Sequence, residues 1–265
     1  MTAPFQIARI MGRASFVQPE DTTESRPKPG ATVARRASRA KMSAVSTVYD
    51  CADPDSRAAG LNAARSTLKS GRLAVIPTDT LYGLAADAFD SQAVSALLAA
   101  KRRGRDMPVP VLVGSWNTID GLVFSVRPQA RELIRAFWPG GLSLVVQQAP
   151  SLAWDLGDAR GTVMLRMPLH PVALELLREV GPLAVSSANV SGQPPATTVA
   201  EAQAQLGELV GVYLDGGPAD HAVASTIVDL TSDTPRVLRE GAVPVEKLAE
   251  VLGMSPEELR QDDAR

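Results

Sequence analysis

The stretch LAVIPTDTLYGLAADAFD, residues 73–90, sets the reading of the chain. Leu73 to Ile76 is an apolar run of the length expected for a buried strand. Pro77 ends it, and Thr78, Asp79 and Thr80 follow with hydroxyls and a carboxylate, ahead of Tyr82 and Gly83. Polar side chains just beyond the carboxyl end of a strand are where open α/β sheets bind ligands. Upstream, residues 53–70 read as a helix with an early acidic turn, apolar Ala59, Leu61, Ala64 and Leu68, and Gly71 as its stop. Downstream, Ser91 reads as the cap of a helix running to Arg103, with Ala93, Val94, Leu97 and Leu98 on one face.

The same alternation continues. The segment from Met107 to Ser115 reads as a strand whose two prolines push its start to an edge. Pro128 opens a helix to Phe137, ended by WPGG. Strands follow at 142–149 and 161–168, a helix at 170–181, and a strand at 182–189. A helix at 198–207, strands at 210–217, 225–231 and 236–241, and a helical tail complete the chain. Alternating strands and helices predict an α/β fold, and the closely spaced short strands predict a mixed sheet.

The chain has 265 residues and a formal net charge of −2. That size fits one domain of ordinary dimensions, and the charge excludes the global basic field of a strong nucleic-acid binder. Residues 1–41 hold eight basic and three acidic residues, which leaves the remainder at −7. This segment is read as a disordered basic extension, with Met42 an alternative start, and 42–265 as the folded domain. The lone Cys51 excludes an internal disulfide and fits a reducing, cytoplasmic compartment. No run approaches the roughly 20 apolar residues of a membrane span.

The familiar catalytic motifs are missing from the sequence. It has no phosphate-binding G-x-x-x-x-G-K-[ST] loop, no G-x-G-x-x-G after a strand, no H-E-x-x-H and no G-x-S-x-G elbow. Several polar strand and helix ends remain. Lys101, Arg102, Arg103 and Arg105 cluster at a helix end, either as favourable partners of its carbonyls or as a phosphate clamp. SSANVSG, residues 186–192, reads as a turn or as an anion site built from hydroxyl and amide donors. Arg166 ends an apolar strand and needs an anion if buried. His170 reads as a helix cap; Cys51 and His221 read as structural. Together these ends describe a cleft for phosphates and a small polar molecule.

PTDTLYGLAAD, KRRGRDMPVPVLV, WPGGLSLVV, LRMPLHP, SSANVSGQPPAT, STIVDL and VLREGA, in this order, resemble the YrdC-like family of threonylcarbamoyl-AMP synthases. The resemblance covers roughly residues 55–245. It implies a YrdC-like twisted mixed sheet flanked by helices, with a concave substrate cleft, in the short single-domain form. It also implies condensation of L-threonine, bicarbonate and ATP, with Mg²⁺, to threonylcarbamoyl-AMP and pyrophosphate. The adenylate would feed tRNA modification through a downstream tRNA threonylcarbamoyltransferase complex. By similarity, Lys101 and Arg103 are catalytic and face the ATP phosphates, with Met107, Thr162, Asn189, Thr197 and Arg239 as further ATP contacts. Thr80, Arg166, Ser187 and Ser225 would bind threonine. Leu112 stands where many relatives have a histidine. Thr78 and Asp79 are read as loop-shaping groups. The runner-up reading is a YrdC-like RNA-binding module without turnover, with weak RNA contacts at Lys101–Arg105.

Overall fold

The structure, a computed structural model, describes residues 46–219 and 223–260; the 1–41 extension, Met42 and His221 lie outside them. The strands are β1 (Thr47–Asp50), β2 (Ala74–Ile76), β3 (Gly83–Asp87), β4 (Val111–Leu112), β5 (Leu142–Gln147), β6 (Thr162–Arg166), β7 (Leu183–Ser187), β8 (Val212–Asp215), β9 (Thr226–Asp229) and β10 (Arg236–Arg239). The helices are α1 (Pro54–Lys69), α2 (Ser91–Ala100), α3 (Pro128–Phe137), α4 (Pro171–Val180), α5 (Val199–Leu206), α6 (Val245–Leu252) and α7 (Pro256–Arg260). The strands form one mixed sheet in the order β1-β8-β2-β3-β7-β4-β6-β5-β9-β10.

Side chains alternate across the sheet, and each face has its own core. Leu61, Ala64 and Leu68 of α1 and Val172, Ala173 and Leu176 of α4 pack on Ala74, Ile76, Ala85, Val185, Val212 and Leu214. On the opposite face Val75, Leu84, Val111, Leu144 and Tyr213 meet α2, α3, α5, α6 and α7. The α1–α4 pair covers the β1-β8-β2-β3-β7 side of its face and reaches Leu112 of β4. From there Leu112, Met164, Arg166, Ser143, Ile227 and Arg239 line an open concavity on strands β4, β6, β5, β9 and β10. The predicted cleft is this uncovered half of the sheet.

Local chemistry explains most boundaries. Asp53 caps α1 by accepting from Ser56 N at 2.7 Å, with Pro54 in the first turn. Asp90, not Ser91, caps α2, accepting from Gln92 N and Ala93 N at 2.9 and 3.1 Å. Asp90 holds the cap because it is the extended residue just before the helix, where one carboxylate oxygen accepts both donors. His170 sits at the α4 cap position without a capping side-chain bond, so its expected role is not met there. The strand predicted from Met107 shrinks to Val111–Leu112, since Pro108 and Pro110 cannot donate to a ladder. β1 and β3 were not foreseen.

Candidate active site

The opening stretch resolves into three separate tasks. The Thr78 hydroxyl donates to Leu81 O at 2.6 Å and accepts from Thr80 N and Leu81 N, so it builds the turn. Asp79 reaches Arg166 Nη2 at 2.6 Å and also accepts from Leu169 N at 2.9 Å, tying this loop to the end of β6. Thr80, 3 % exposed, accepts from Arg166 Nη1 at 2.8 Å and lines the cleft. Arg166 Nε donates to Gly140 O at 2.9 Å. Gly141 beside it carries no side chain for a steric reason: a Cβ there would come within 2.6 Å of Ala242 Cβ. The guanidinium has five N–H donors, and three are spent on these partners. Burial lowers its pKa and Asp79 opposes that shift.

Lys101 is 2 % exposed. Its ammonium donates to Ser187 O, to Asn189 O at 2.8 Å and to Asn189 Oδ1 at 3.3 Å. Among the described residues no carboxylate pairs with it or with Arg103. Burial, then repulsion from Arg103, pushes Lys101 down to about 8. Arg103 donates to Ser186 Oγ and to Pro108 O, both at 3.2 Å, and its buried Nε meets no acceptor. Two adjacent cations held only by carbonyls and hydroxyls form a site prepared for an anion.

The cations reach different places because of how α2 ends. Arg102 takes a left-handed conformation, φ 51°. Arg102 N bonds to Ala99 O and Arg103 N to Leu98 O, both at 3.0 Å, the paired bonds of a Schellman ending. That reversal carries Arg103 to the cleft and leaves Arg102 exposed. Arg105 instead grips Asp155 with both nitrogens, at 3.1 and 2.6 Å.

The concavity has a volume of about 560 Å³. It is lined by Thr80, Arg103, Met107, Arg166, Ser187, Asn189, Ser225 and Arg239 among the residues singled out from sequence, and Leu112 sits in its wall. Lys101 lies directly behind Ser187 and Asn189. Thr162 stands at the outer end of β6, on the face shared by Met164 and Arg166, its hydroxyl donating to Ala159 O at 2.7 Å. Thr197 lies off the lining, its N and Oγ1 donating to Glu201 Oε2 at 2.7 and 3.0 Å. Ser143 was missed, and Ser186 was read only as part of the 186–192 stretch, not singled out. A serine at an inward position of an apolar strand was the available signal for Ser143, and the doubled serine of SSAN for Ser186. Cys51 and His170 line a different cavity, with Asp50, Arg57 and Asp215.

Residues 66–241 match the Sua5/YciO/YrdC domain, described as "Telomere recombination". The chain belongs to the Sua5/YciO/YrdC family. A Mycobacterium leprae member is 68 % identical over 82 % of this chain and 99 % of its own length, and is provisionally named a threonylcarbamoyl-AMP synthase. The Pyrococcus abyssi threonylcarbamoyl-AMP synthase is 34 % identical over 70 % of this chain and 55 % of its own. A solved structure of Pyrococcus abyssi Sua5 complexed with L-threonine superposes with a TM-score of 0.75 at 31 % identity. It covers 83 % of this chain, which spans 63 % of it. The family's mixed α/β sheet is the one described above.

Proposed function

We propose that the chain is an L-threonylcarbamoyladenylate synthase, making threonylcarbamoyl-AMP and pyrophosphate from L-threonine, bicarbonate and ATP. The observation that carries this reading is charge distribution within one cleft. At one end Lys101 and Arg103 form no salt bridge among the described residues, Arg103 feeling only the field of nearby Asp106; at the other, Arg166 keeps two unspent N–H donors beside Thr80. The first end suits a polyphosphate and the second an amino-acid carboxylate with a nearby hydroxyl. The named relatives and the threonine-bound neighbour support the same reading.

In this mechanism the threonine amine and bicarbonate give a carbamate, whose oxygen attacks the α-phosphorus as pyrophosphate leaves. The protein contributes position and fixed charge, without a covalent intermediate. Lys101 and Arg103 neutralise phosphoryl oxygens. Asn189, Arg239 and Met107 belong to the nucleotide side, and Ser187 and Ser225 to the threonine side; Thr162 and Thr197, expected among the nucleotide contacts, stand outside the cleft lining. Among the described residues no group of three carboxylates, histidines or cysteines could hold a metal ion. Mg²⁺, where bound, would neutralise oxygens of the triphosphate. A cytoplasmic location and transfer of the adenylate to a tRNA threonylcarbamoyltransferase complex complete the reading.

The RNA-binding alternative draws little from the geometry, because Arg105 is engaged by Asp155 and Asp158 and Lys101 is buried. The test is pyrophosphate release with ATP, bicarbonate and each amino acid in turn. Release is expected with threonine and is expected to fall roughly 100- to 1000-fold in Arg103→Ala. Release that ignores threonine, or an undiminished variant, would contradict the proposal.

A further inference from the structure

The cleft floor holds a polar pair that the mechanism above leaves partly unused. Ser143 lies on β5 and Ser225 immediately precedes β9, and the parallel pairing of these strands brings their hydroxyls to 2.9 Å. Both are buried and both line the cleft. A buried hydroxyl without a partner is costly, so the donors of this pair can be counted. Arg239 donates from Nη2 to Ser225 O at 2.7 Å and to Ser225 Oγ at 3.3 Å. A guanidinium only donates, so it consumes acceptor capacity and leaves both serine O–H groups to be placed. Their mutual bond uses one. The other meets no acceptor among the described residues and is offered to whatever occupies the cleft.

The position of this spare donor is set by strand order. Arg166 lies on β6, Ser143 on β5 and Arg239 on β10, with β9 between the last two. The serines therefore stand between the two arginines. Lys101 and Arg103 stand across Arg166 from the serines, at the end of β7, and would take the outer phosphates; with Arg239 on the α-phosphate and Arg166 on the amino-acid carboxylate, the group that lies over the serines is the new carbamate. A neutral hydroxyl suits it: one hydrogen bond orients the group, whereas a second cation would quench the oxygen that must attack.

We propose that Ser143, with Ser225, forms the subsite for the one-carbon substrate, donating a hydrogen bond to a carboxyl oxygen of bicarbonate and then of the carbamate. The assignment rests on the function proposed above. In that step the amine lone pair forms the C–N bond and the C–OH bond of bicarbonate breaks. The departing hydroxide takes an amine proton and leaves as water. The carbamate keeps one oxygen on the serine pair and presents the other to the α-phosphorus.

The test is the steady-state dependence of Ser143→Ala on bicarbonate, threonine and ATP separately, with melting temperature and calorimetric threonine binding as controls for the fold. The expected result is a bicarbonate KM raised about tenfold or more, the usual size of a lost hydrogen bond to a charged group. Threonine and ATP KM values should stay within about twofold of wild type by the same reasoning. An unchanged bicarbonate KM, or a rise confined to threonine, would overturn the subsite while leaving the function standing. A wild-type protein that turns over without bicarbonate would overturn both.

Discussion

At the scale of single residues, the site is built on groups that are costly to bury. Lys101 titrates near 8 in the folded chain against 10.5 for a free lysine. Between those values the unfolded chain holds more protons, so this group's contribution to stability rises with pH from about 8 to 10.5 and is unfavourable below. The gain amounts to roughly 3 kcal/mol across that window. Lys101→Met should remove it. The difference in unfolding free energy between wild type and variant, followed by urea denaturation from pH 7 to 10, is expected to shift in favour of wild type as pH rises. A flat difference would contradict the buried-cation account. Asp79 is the converse case. It is the partner that makes buried Arg166 tolerable, with side chains only 15 % and 8 % exposed. Asp79→Asn should destabilise the fold by about 3 kcal/mol in denaturant titration, since it strands a buried charge. An unchanged midpoint would mean that solvent already screens the pair. The sequence offered Asp79 as the one carboxylate of the Thr78–Thr80 cluster but could not say whether it faced substrate or arginine. That depends on β6 arriving beside the β2–β3 loop, a long-range event.

At the scale of elements, legibility followed how local the signal was. The helix from Pro128 to Phe137 was readable to the residue because Pro opens it and WPGG closes it. Strands β5, β6, β7 and β9 were readable because their apolar runs are bounded by turns. β3 was not: Gly-Leu-Ala-Ala-Asp lacks β-branched residues, and its strand form comes from antiparallel pairing with β2 and β7 on either side. The four cations after α2 looked equivalent in sequence. The left-handed turn at Arg102 separates them, and an arginine is an uncommon residue for it. Arg102→Gly should relieve that conformation and raise stability by about 0.5–1 kcal/mol, net of the entropy glycine adds to the unfolded chain. Pyrophosphate release should persist, because Arg102 points away from the cleft. A loss of stability would show that its side chain does more than its exposure indicates.

At the scale of the whole molecule, the governing feature is incomplete coverage. Two helices shield one half of a sheet face, and the bare half carries the cations, hydroxyls and arginines that the sequence scattered over some 160 positions. The α/β class and mixed sheet followed from periodicity, whereas the uncovered half-face did not, since helix placement is a tertiary outcome. The residues that line the cleft run from Thr78 to Arg239. A chain comprising residues 43–265 should keep threonine-dependent pyrophosphate release, measured against full-length protein, and its loss would assign the extension a role in catalysis or folding. The most direct test is to incubate the full chain with ATP, threonine and heavy-carbon bicarbonate and to weigh the adenylate formed. The expected product is threonylcarbamoyl-AMP carrying the heavy carbon. A product lacking that carbon, or plain threonyl-AMP, would contradict the account.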